Sequence, residues 1–539
     1  MRVRLLHPES DPELKPTLPW QLQDIIDDDL ELRRVYQAMA GNDEFLLETA
    51  KRVVPLGVAD PDIIVYRQQV LADCLANRPV VQQMYDIAVD GAEVRRKVFL
   101  GGLMSRNPES ILRRSIRVLE LLTENLIQIR SVCDQHGSQF RSPGFRQLVA
   151  MIAEQLSDDY LRRLDEHLSE LALPRGVLLS AQLGVGNKGE RYMLHQAPRR
   201  SWWERLTGNH SDASGFTVDD RDDAGAQALT ELAGRAINDV ANVVTQSADH
   251  VQGFFERLRT EVGFYLGCLN LRDELTKFGV PTCFPVPTPA DVPELQCRDL
   301  RDVGLCLTTV KKVVGNDIDA DGKSLIVITG ANEGGKSTFL RSVGAAQVMM
   351  QAGMFVTAES FRANVRDGVF THFKREEDIT LTRGKLDEEL ARMSEIAEYI
   401  EPTSLLLCNE SFASTNEREG SQIARGIIYA MVDSGVKVVF VTHLYDLAHS
   451  LYVRHNPADL FLRPSADPMV CVPSGCCPGS PSRPATARTH SGASSAYPPT
   501  PAASVSNPVE ISADPGSQLL VAGRNIPEAT TAPTIHAAA

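Results

Sequence analysis

A glycine-rich loop between a short apolar strand and a helix constrains the fold of this chain more than any other segment. SLIVIT (324–329) predicts a strand, and the residues from Thr338 to Gln351 predict a helix. The sequence between them, GANEGGKS (330–337), matches the pattern G-x-x-x-x-G-K-[ST]. Because this loop works only between a strand and a helix, the segment predicts an α/β fold that binds nucleotide phosphates.

Each residue type in the loop has a separate reason to be there. The glycines let the backbone curl so that its N–H groups converge on phosphate oxygens. Lys336 is expected to reach the β- and γ-phosphates and the Ser337 hydroxyl to bind Mg²⁺, while the helix N-terminus adds a positive dipole. ATP and Mg²⁺ are therefore the expected nucleotide and cofactor, and a ligand-free glycine turn is the alternative. The candidate ATP-binding residues are Gly330, Ala331, Asn332, Glu333, Gly334, Gly335, Lys336, Ser337 and Thr338.

Two later strands end in polar residues that suit the same site. SLLLC (404–408) is followed by Asn409 and Glu410, at the position where a P-loop protein needs acids near its magnesium and its attacking water. Asn409 offers an oxygen without a charge, so Ser337 and Asn409 are the candidate metal ligands. Glu410 is the candidate for polarising water, and His443, which follows VKVVFVT (436–442), is the second catalytic candidate. The alternative is that these residues merely end strands.

Composition excludes some classes of protein and divides the chain. The 539 residues are 43% hydrophobic with a net charge of −15, which excludes a generally basic nucleic-acid binder. No apolar run is long enough for a membrane span or a signal peptide, and the ten cysteines form no CxxC pair, so a cytoplasmic protein with reduced thiols is expected. The patterns predict an N-terminal arm (1–20), a mainly helical domain (21–280) with a small hairpin near 176–196, a proline-punctuated linker (281–302), an α/β domain with a mainly parallel sheet (303–463) and a disordered tail rich in Pro, Ser and Ala (464–539).

Four segments together resemble one known family. They are TGANEGGKSTFLR (329–341), VFTHFKREEDI (369–379), LLLCNESFASTNEREG (405–420) and VFVTHLYDL (439–447). In order and spacing they resemble the ATPase domain of the MutS family of DNA mismatch-repair proteins. The resemblance implies a multidomain protein in which an all-α lever or core domain precedes an ABC-like P-loop NTPase domain. FYLGCLNLRDELTKFGVPTCFP (264–285) resembles the lever helices that lead into it.

The resemblance also implies roles for residues outside the phosphate loop. Glu377 and Asp378 match an acidic pair of the family, and the loop after Glu410 matches a segment that reaches the γ-phosphate of a dimer partner. The family has Gly-Arg-Gly-Thr-Ser-Thr in that segment, whereas this chain has Phe-Ala-Ser-Thr-Asn-Glu, so Ser414 and Thr415 are the candidate hydroxyls. A homodimer with composite ATP sites is implied, and the neutral Asn409 implies slow hydrolysis.

The beginning of the chain lacks the family's mismatch-reading domain with its Phe-x-Glu wedge. Phe254-Phe-Glu256 has the right spacing but lies within an amphipathic helix, so we expect Phe254 to be a core residue. Nor does the sequence resemble the nuclease-like tail of a second branch of the family. A shortened member, consisting of a helical lever domain and an ATPase domain, is therefore expected.

The expected partner is DNA, as mismatched or branched duplex, because the resemblance implies it. The local charge offers two candidate surfaces, of which one is Arg199 and Arg200 beside Trp202 and Trp203. The other consists of Arg95, Arg96, Lys97, Arg106, Arg113, Arg114 and Arg117. The alternative, which the charges alone favour, is a solvated helix face and a partly buried pair of tryptophans. The predicted function is ATP-dependent DNA binding in repair or recombination, in the cytoplasm and at the nucleoid, and the alternative is a nucleotide-gated protein switch or clamp with little or no hydrolysis.

Overall fold

The first third of the chain is helical, as its hydrophobic periodicity predicts. The computed structural model describes residues 1–10, 18–99, 108–173, 178–183, 185, 189–195, 223–309, 312–330, 335–375, 384–464 and 476–478. The first helices are α1 (Trp20–Asp29), α2 (Leu32–Ala40), α3 (Glu44–Val53), α4 (Pro61–Ala76), α5 (Arg78–Phe99), α6 (Pro108–His136), α7 (Pro143–Gln155) and α8 (Asp158–Leu171), with a 3₁₀ turn at Gly137–Gln139.

Side-chain caps determine where several of these helices begin. The Asp43 carboxylate accepts hydrogen bonds from the backbone N–H groups of Phe45 and Leu46 at the start of α3. Ser142 caps α7 through its hydroxyl, and Pro143 occupies the first helical position, where its missing N–H costs no hydrogen bond. These helix starts are therefore encoded by adjacent residues.

A hairpin and one long helix complete the helical region. Strands β1 (Leu178–Leu183) and β2 (Gly189–His195) pair antiparallel, where the sequence indicates a hairpin. Helix α9 (Asp223–Lys277) has 55 residues and spans about 80 Å. It packs along α5 and α6, with Phe254 and Phe255 buried. Phe254 is thus a core residue, as expected.

The first residues of the chain, within the predicted N-terminal arm (1–20), are anchored to the helical core. Glu261 of α9 is buried, and its carboxylate accepts hydrogen bonds from the backbone N–H groups of Leu5 (2.6 Å) and Leu6 (3.0 Å). The Tyr265 hydroxyl donates to the Leu5 carbonyl at 2.7 Å. Further bonds to this segment come from α4, where the Tyr66 hydroxyl donates to the Arg4 carbonyl and Arg67 Nε donates to the Leu6 carbonyl, both at 2.7 Å.

The segment 281–302 belongs to a sheet, so the linker interpretation is wrong. It contains β3 (Val286–Thr288) and β4 (Leu295–Leu300). With β5 (Asn316–Asp319) and β7 (Ser360–Asn364) they form a four-stranded sheet in the order β3-β7-β4-β5. The prolines suggested a linker, but an edge strand such as β3 tolerates proline because one side of it makes no ladder bonds.

The predicted change from helices to an α/β arrangement with a mainly parallel sheet is confirmed. The larger sheet has the order β12-β11-β6-β10-β9-β8, and all its neighbouring strands are parallel except the β11–β12 pair. Strands β6 and β10 are buried throughout, as expected for a sheet covered on both faces. Its strands are β6 (Leu325–Ile328), β8 (Val369–Phe373), β9 (Leu405–Asn409), β10 (Lys437–Val441), β11 (Asp459–Pro464) and β12 (Cys476–Pro478).

The remaining helices connect these strands. They are α10 (Val303–Cys306), α11 (Lys336–Gln351), α12 (Lys385–Tyr399), α13 (Glu417–Asp433) and α14 (Tyr445–Tyr452). Of the segment 464–539, Pro464 ends β11 and Cys476–Pro478 form β12; the rest lies outside the described residues, so the expected disorder is not addressed. Among the described helices, none is long and apolar enough to cross a membrane.

Candidate nucleotide-binding site

The polar residues singled out from the sequence meet at the carboxyl-terminal edge of the parallel sheet. Strand β10 lies between β6 and β9 with Val441 opposite both Ile328 and Asn409. The segments that leave these three strands therefore start side by side. Ligands of open α/β sheets bind at such an edge, where neighbouring connections leave a crevice.

The phosphate loop has the backbone that its glycines allow. Gly330 has φ 136° and Gly335 has φ 73°, values that side chains disfavour, and Gly335 directly precedes α11. Lys336, the first residue of α11, is buried, and its ammonium donates to the Gly330 carbonyl at 2.9 Å. Thr338 lies in the same first turn. The four loop candidates between Gly330 and Gly335 lie outside the described residues: Ala331, Asn332, Glu333 and Gly334.

The two candidate metal ligands are in direct contact. The Ser337 hydroxyl donates to Asn409 Oδ1 at 2.9 Å, which brings a hydroxyl and an amide oxygen together beside the phosphate loop. Both are hard oxygen donors of the kind Mg²⁺ accepts, so the side chains fit the ion. Within the described part of the chain, no group of three or more His, Cys, Asp or Glu residues is arranged to hold a metal. A magnesium ion here would rely on nucleotide phosphates and water for its other ligands.

A backbone hydrogen bond fixes the position of Glu410, and its carboxylate lies opposite the His443 ring. Its φ of 53° is left-handed, and its N–H donates to the Val441 carbonyl of β10 at 2.9 Å. Its Oε1 lies 3.6 Å from His443 Nδ1. Interaction with His443 lowers the pKa of the Glu410 carboxyl; partial burial opposes this, and Lys336 and Lys374 add to the lowering. Glu410 is therefore a carboxylate at neutral pH.

The hydroxyls expected to reach a partner's nucleotide bind carboxylates of their own chain. Ser414 Oγ donates to Glu389 Oε1 at 3.1 Å, and Thr415 Oγ1 donates to Glu419 Oε2 at 2.6 Å. Ser414 and Thr415 follow Glu410 on the connection to α13, so they lie next to the site. The other acidic candidates, Glu377 and Asp378, lie outside the described residues.

The basic cluster of α5 and α6 is balanced by acids. Arg96 pairs with Glu93 (3.6 Å) and Lys97 with Asp90 (3.0 Å). Further ion pairs join Arg95 to Asp249, Arg113 to Glu109 and Arg117 to Glu120. Arg114 donates to the Ser110 carbonyl at 3.1 Å. A solvated helix face accounts for this pattern, whereas Arg106 and the second cluster around Trp202 and Trp203 lie outside the described residues.

Sequence reasoning missed Lys374 and His372. Lys374 directly follows β8, and its N–H donates to the Asn409 carbonyl at 2.9 Å. His372 lies on β8 opposite Cys408 and is buried. The carboxyl end of a strand next to β9 was the signal for Lys374, because adjacent parallel strands end at the same edge. His372 had no comparable signal, since buried contacts with later segments are not visible in sequence.

Two protein-family models, each describing one domain, match this chain. The MutS2 N-terminal domain matches residues 59–278, from just before α4 to the end of α9. The MutS domain V matches residues 326–460, which contain the phosphate loop, Asn409, Glu410 and His443.

Individual relatives match roughly a quarter of the chain each. "DNA mismatch repair protein MutS" of Chloroflexus aurantiacus is 32% identical over 145 residues, 26% of this chain and 15% of that protein. "Endonuclease MutS2" of Lacticaseibacillus casei is 35% identical over 150 residues, 28% of this chain and 19% of that protein. "MutS protein homolog 4" of Mus musculus is 28% identical over 143 residues, 26% of this chain and 15% of that protein.

The matched stretches thus cover less than a fifth of each relative's length. The two domain matches nevertheless follow one another along the chain in the order helical region, then α/β region. They coincide with the observed change in architecture between α9 and the parallel sheet. The chain belongs to the MutS family.

Proposed function

We propose that this protein binds ATP with Mg²⁺, hydrolyses it slowly and uses it to control binding to mismatched or branched DNA in repair or recombination. The observation that carries the proposal is the contact of Ser337 with Asn409 beside Lys336, with Glu410 and His443 at the same sheet edge. Family membership supports the DNA partner, and a cytoplasmic, nucleoid-associated location follows from it.

The residues suit binding and orientation of a triphosphate. Lys336 and the backbone amides of the loop bind phosphate oxygens, with Gly330 to Thr338 as the ATP-binding segment. Ser337 and Asn409 would hold Mg²⁺, which supplies positive charge to the phosphates when bound. Glu410 orients the attacking water through its carboxylate, and His443 keeps that carboxylate ionised.

Two features of the site favour slow hydrolysis. Asn409 is neutral, so it gives the metal less electrostatic stabilisation than an acid would. The lowered pKa of Glu410 makes its carboxylate a weak proton acceptor, since base strength falls with pKa. Orientation of water, rather than strong proton abstraction, is therefore the contribution we assign to Glu410.

A homodimer would complete the site. Ser414 and Thr415 would exchange Glu389 and Glu419 for the γ-phosphate of the partner's nucleotide. Glu377 and Asp378, which lie between the phosphate loop and Glu410 in sequence, are further candidates for sensing the nucleotide. The basic residues of α5 and α6 remain DNA candidates only in competition with their carboxylate partners. DNA contacts there would require those ion pairs to open.

Steady-state ATPase assays with and without branched or mismatched duplex test the proposal. We expect slow turnover that responds to DNA and that Glu410→Gln lowers by about 100-fold with unchanged nucleotide affinity. Equal kinetics of the wild type and Glu410→Gln would refute the role of Glu410. ATP binding without turnover or a DNA effect would instead support a nucleotide-gated protein switch or clamp, which the neutral Asn409 favours.

A further inference from the structure

The turn that carries Glu410 has an unfavourable backbone. Glu410 has φ 53° and Phe412 has φ 62°, so two residues with side chains, separated by one residue, adopt the left-handed conformation. Residues other than Gly, Asn and Asp seldom adopt this conformation, because their Cβ approaches the carbonyl oxygen. Such a conformation persists only where surrounding contacts hold it.

Buried contacts around His372 hold this turn. His372, Ser411 and Phe412 are each at most 1% exposed. The His372 and Phe412 rings are stacked, with centroids 5.2 Å apart and an interplanar angle of 18°. Phe412 therefore cannot leave its left-handed conformation without exposing its ring and losing the stacked partner.

Hydrogen bonds connect the same histidine to the turn and to α12. His372 Nδ1 lies 2.7 Å from Ser411 Oγ, and His372 Nε2 lies 3.0 Å from the Glu389 carbonyl oxygen. The Glu389 side chain in turn accepts from Ser414, so one residue of α12 contacts both His372 and the segment that follows the turn. The Ser411 hydroxyl also donates to the His372 carbonyl oxygen at 2.6 Å.

Proton counting assigns the direction of these bonds. Burial, with Arg392 adding to it, lowers the pKa of His372 to about 4, so the ring is neutral at physiological pH. A carbonyl oxygen can only accept, so the single ring proton is on Nε2 and is donated to Glu389. Nδ1 is then an acceptor that shares the single Ser411 hydroxyl proton with the His372 carbonyl oxygen, and the ring connects α12 to the residue after Glu410.

We propose that His372 is a positioning residue which, through Ser411 and Phe412, holds Glu410 in the conformation that orients the attacking water. This inference rests on the proposed ATP hydrolysis. His372 lies on β8, on the far side of β9 from β10 and His443, so it supports the turn from the side opposite His443. Its proposed role involves no contact with nucleotide and is exerted only through the turn from Glu410 to Phe412.

The test compares four variants by kcat, KM and nucleotide affinity. We expect His372→Leu to lower kcat by about 100-fold and Ser411→Ala by at least about tenfold, with nucleotide affinity within about twofold of the wild type. His372→Asn keeps an acceptor close to Nδ1 and should recover part of the kcat. Thr371→Val, at the neighbouring buried position of β8, is the matched control and should leave kcat unchanged.

A double variant separates positioning from general loss of structure. If His372 acts through Glu410, His372→Leu added to Glu410→Gln lowers kcat no further than Glu410→Gln alone. A further drop equal to that of the single His372→Leu variant would overturn the proposal, and so would wild-type kcat in both His372→Leu and Ser411→Ala. Absence of turnover in the wild-type protein is a different result, because it refutes the proposed hydrolysis itself and this role with it.

Discussion

Asn409 has an NH₂ group where an aspartate would have a second, charged oxygen. It has the position and the oxygen of an acidic metal ligand, and its Oδ1 accepts from Ser337. It lacks the negative charge that magnesium prefers. In the proposed nucleotide site, Asn409 would therefore keep the geometry of a metal ligand while weakening the electrostatic part of catalysis.

Restoring the charge at this position should increase activity. We expect Asn409→Asp to raise ATP turnover at limiting magnesium by about tenfold, because an anionic oxygen binds the ion more strongly. Turnover measured across a magnesium titration checks this, with Asn409→Ala as the control that removes the oxygen and lowers turnover. Identical magnesium curves for the wild type and Asn409→Asp would show that residue 409 does not act on the metal.

Lys437 makes stability depend on pH. Burial, with Arg366 adding to it, lowers the pKa of Lys437 to about 7, whereas an exposed lysine titrates near 10.4. Between these values the unfolded chain keeps a proton that the folded protein has lost, so stability rises with pH from about 7 upward. The gain between pH 7 and 9 is about 2 kcal/mol.

Thermal melts of the wild type and Lys437→Met over pH 7 to 9 test this effect. The variant has no charge to bury, so its midpoint should exceed that of the wild type near pH 7, and the difference should narrow toward pH 9. Parallel midpoint curves for the two proteins would mean that Lys437 is not the titrating group.

At the scale of elements, α5 and α9 are in unusually close contact. A Cβ added at Gly91 of α5 would lie 2.4 Å from the Phe255 ring of α9, whereas one added at Gly253 of α9 would meet no atom within 4 Å. Gly91→Ala should destabilise the protein by about 1–3 kcal/mol, since the ring cannot move aside in the core. Gly253→Ala should be neutral or stabilising by up to about 1 kcal/mol, because alanine favours a helix.

Thermal melts of these two variants check the packing. The helix-propensity change is the same in both, so any difference between them reports the contact with Phe255. A Gly91→Ala variant as stable as Gly253→Ala would contradict the close approach.

Elements that depend on local sequence could be predicted, and those that depend on distant contacts could not. The phosphate loop, the strand ending at Asn409 and the long α9 follow from patterns within single segments. The anchoring of Leu5 by Glu261 and the buried bonds of His372 join segments far apart in sequence, so no local pattern contains them. The sequence did not predict β3, because proline usually indicates a break in regular structure.

At the scale of the whole molecule, α11 connects the phosphate loop to the N-terminal helices. Arg341 Nη1 lies 2.6 Å from Glu31 Oε1, at the junction of α1 and α2, and Arg341 Nε lies 3.0 Å from Asp302 Oδ2. At the other end of α11, the Gln351 carbonyl accepts from the Val58 N–H at 3.0 Å. Movement of α11 on nucleotide binding would therefore act directly on the helical region.

Breaking this connection should cost stability. We expect Arg341→Met to destabilise the protein by about 2 kcal/mol, because it removes the ion-pair partner of the buried Asp302 carboxylate and leaves Glu31 with Arg34 alone. Arg33→Met is the matched control, since its ion pairs with Asp24 and Asp28 are half exposed and contribute less than about 1 kcal/mol. Equal thermal midpoints for the two variants would argue against a connection through Arg341.

The net charge of −15 and the ion pairs of α5 and α6 disfavour DNA binding through charge alone, so the proposed DNA partner has another basis. It depends on membership of the MutS family, and membership concerns this chain only over the helical and α/β regions that match. The proposed ATP hydrolysis and the proposed control of DNA binding both depend on the nucleotide site.

Calorimetric titration of the intact protein with ATP and magnesium tests that site most directly. We expect one nucleotide to bind per chain, and we expect Lys336→Ala to weaken binding at least about tenfold because it removes the ammonium that meets the phosphates. Circular dichroism of the variant would establish that it remains folded. No heat of binding in the wild-type protein, or unchanged affinity in folded Lys336→Ala, would contradict the account.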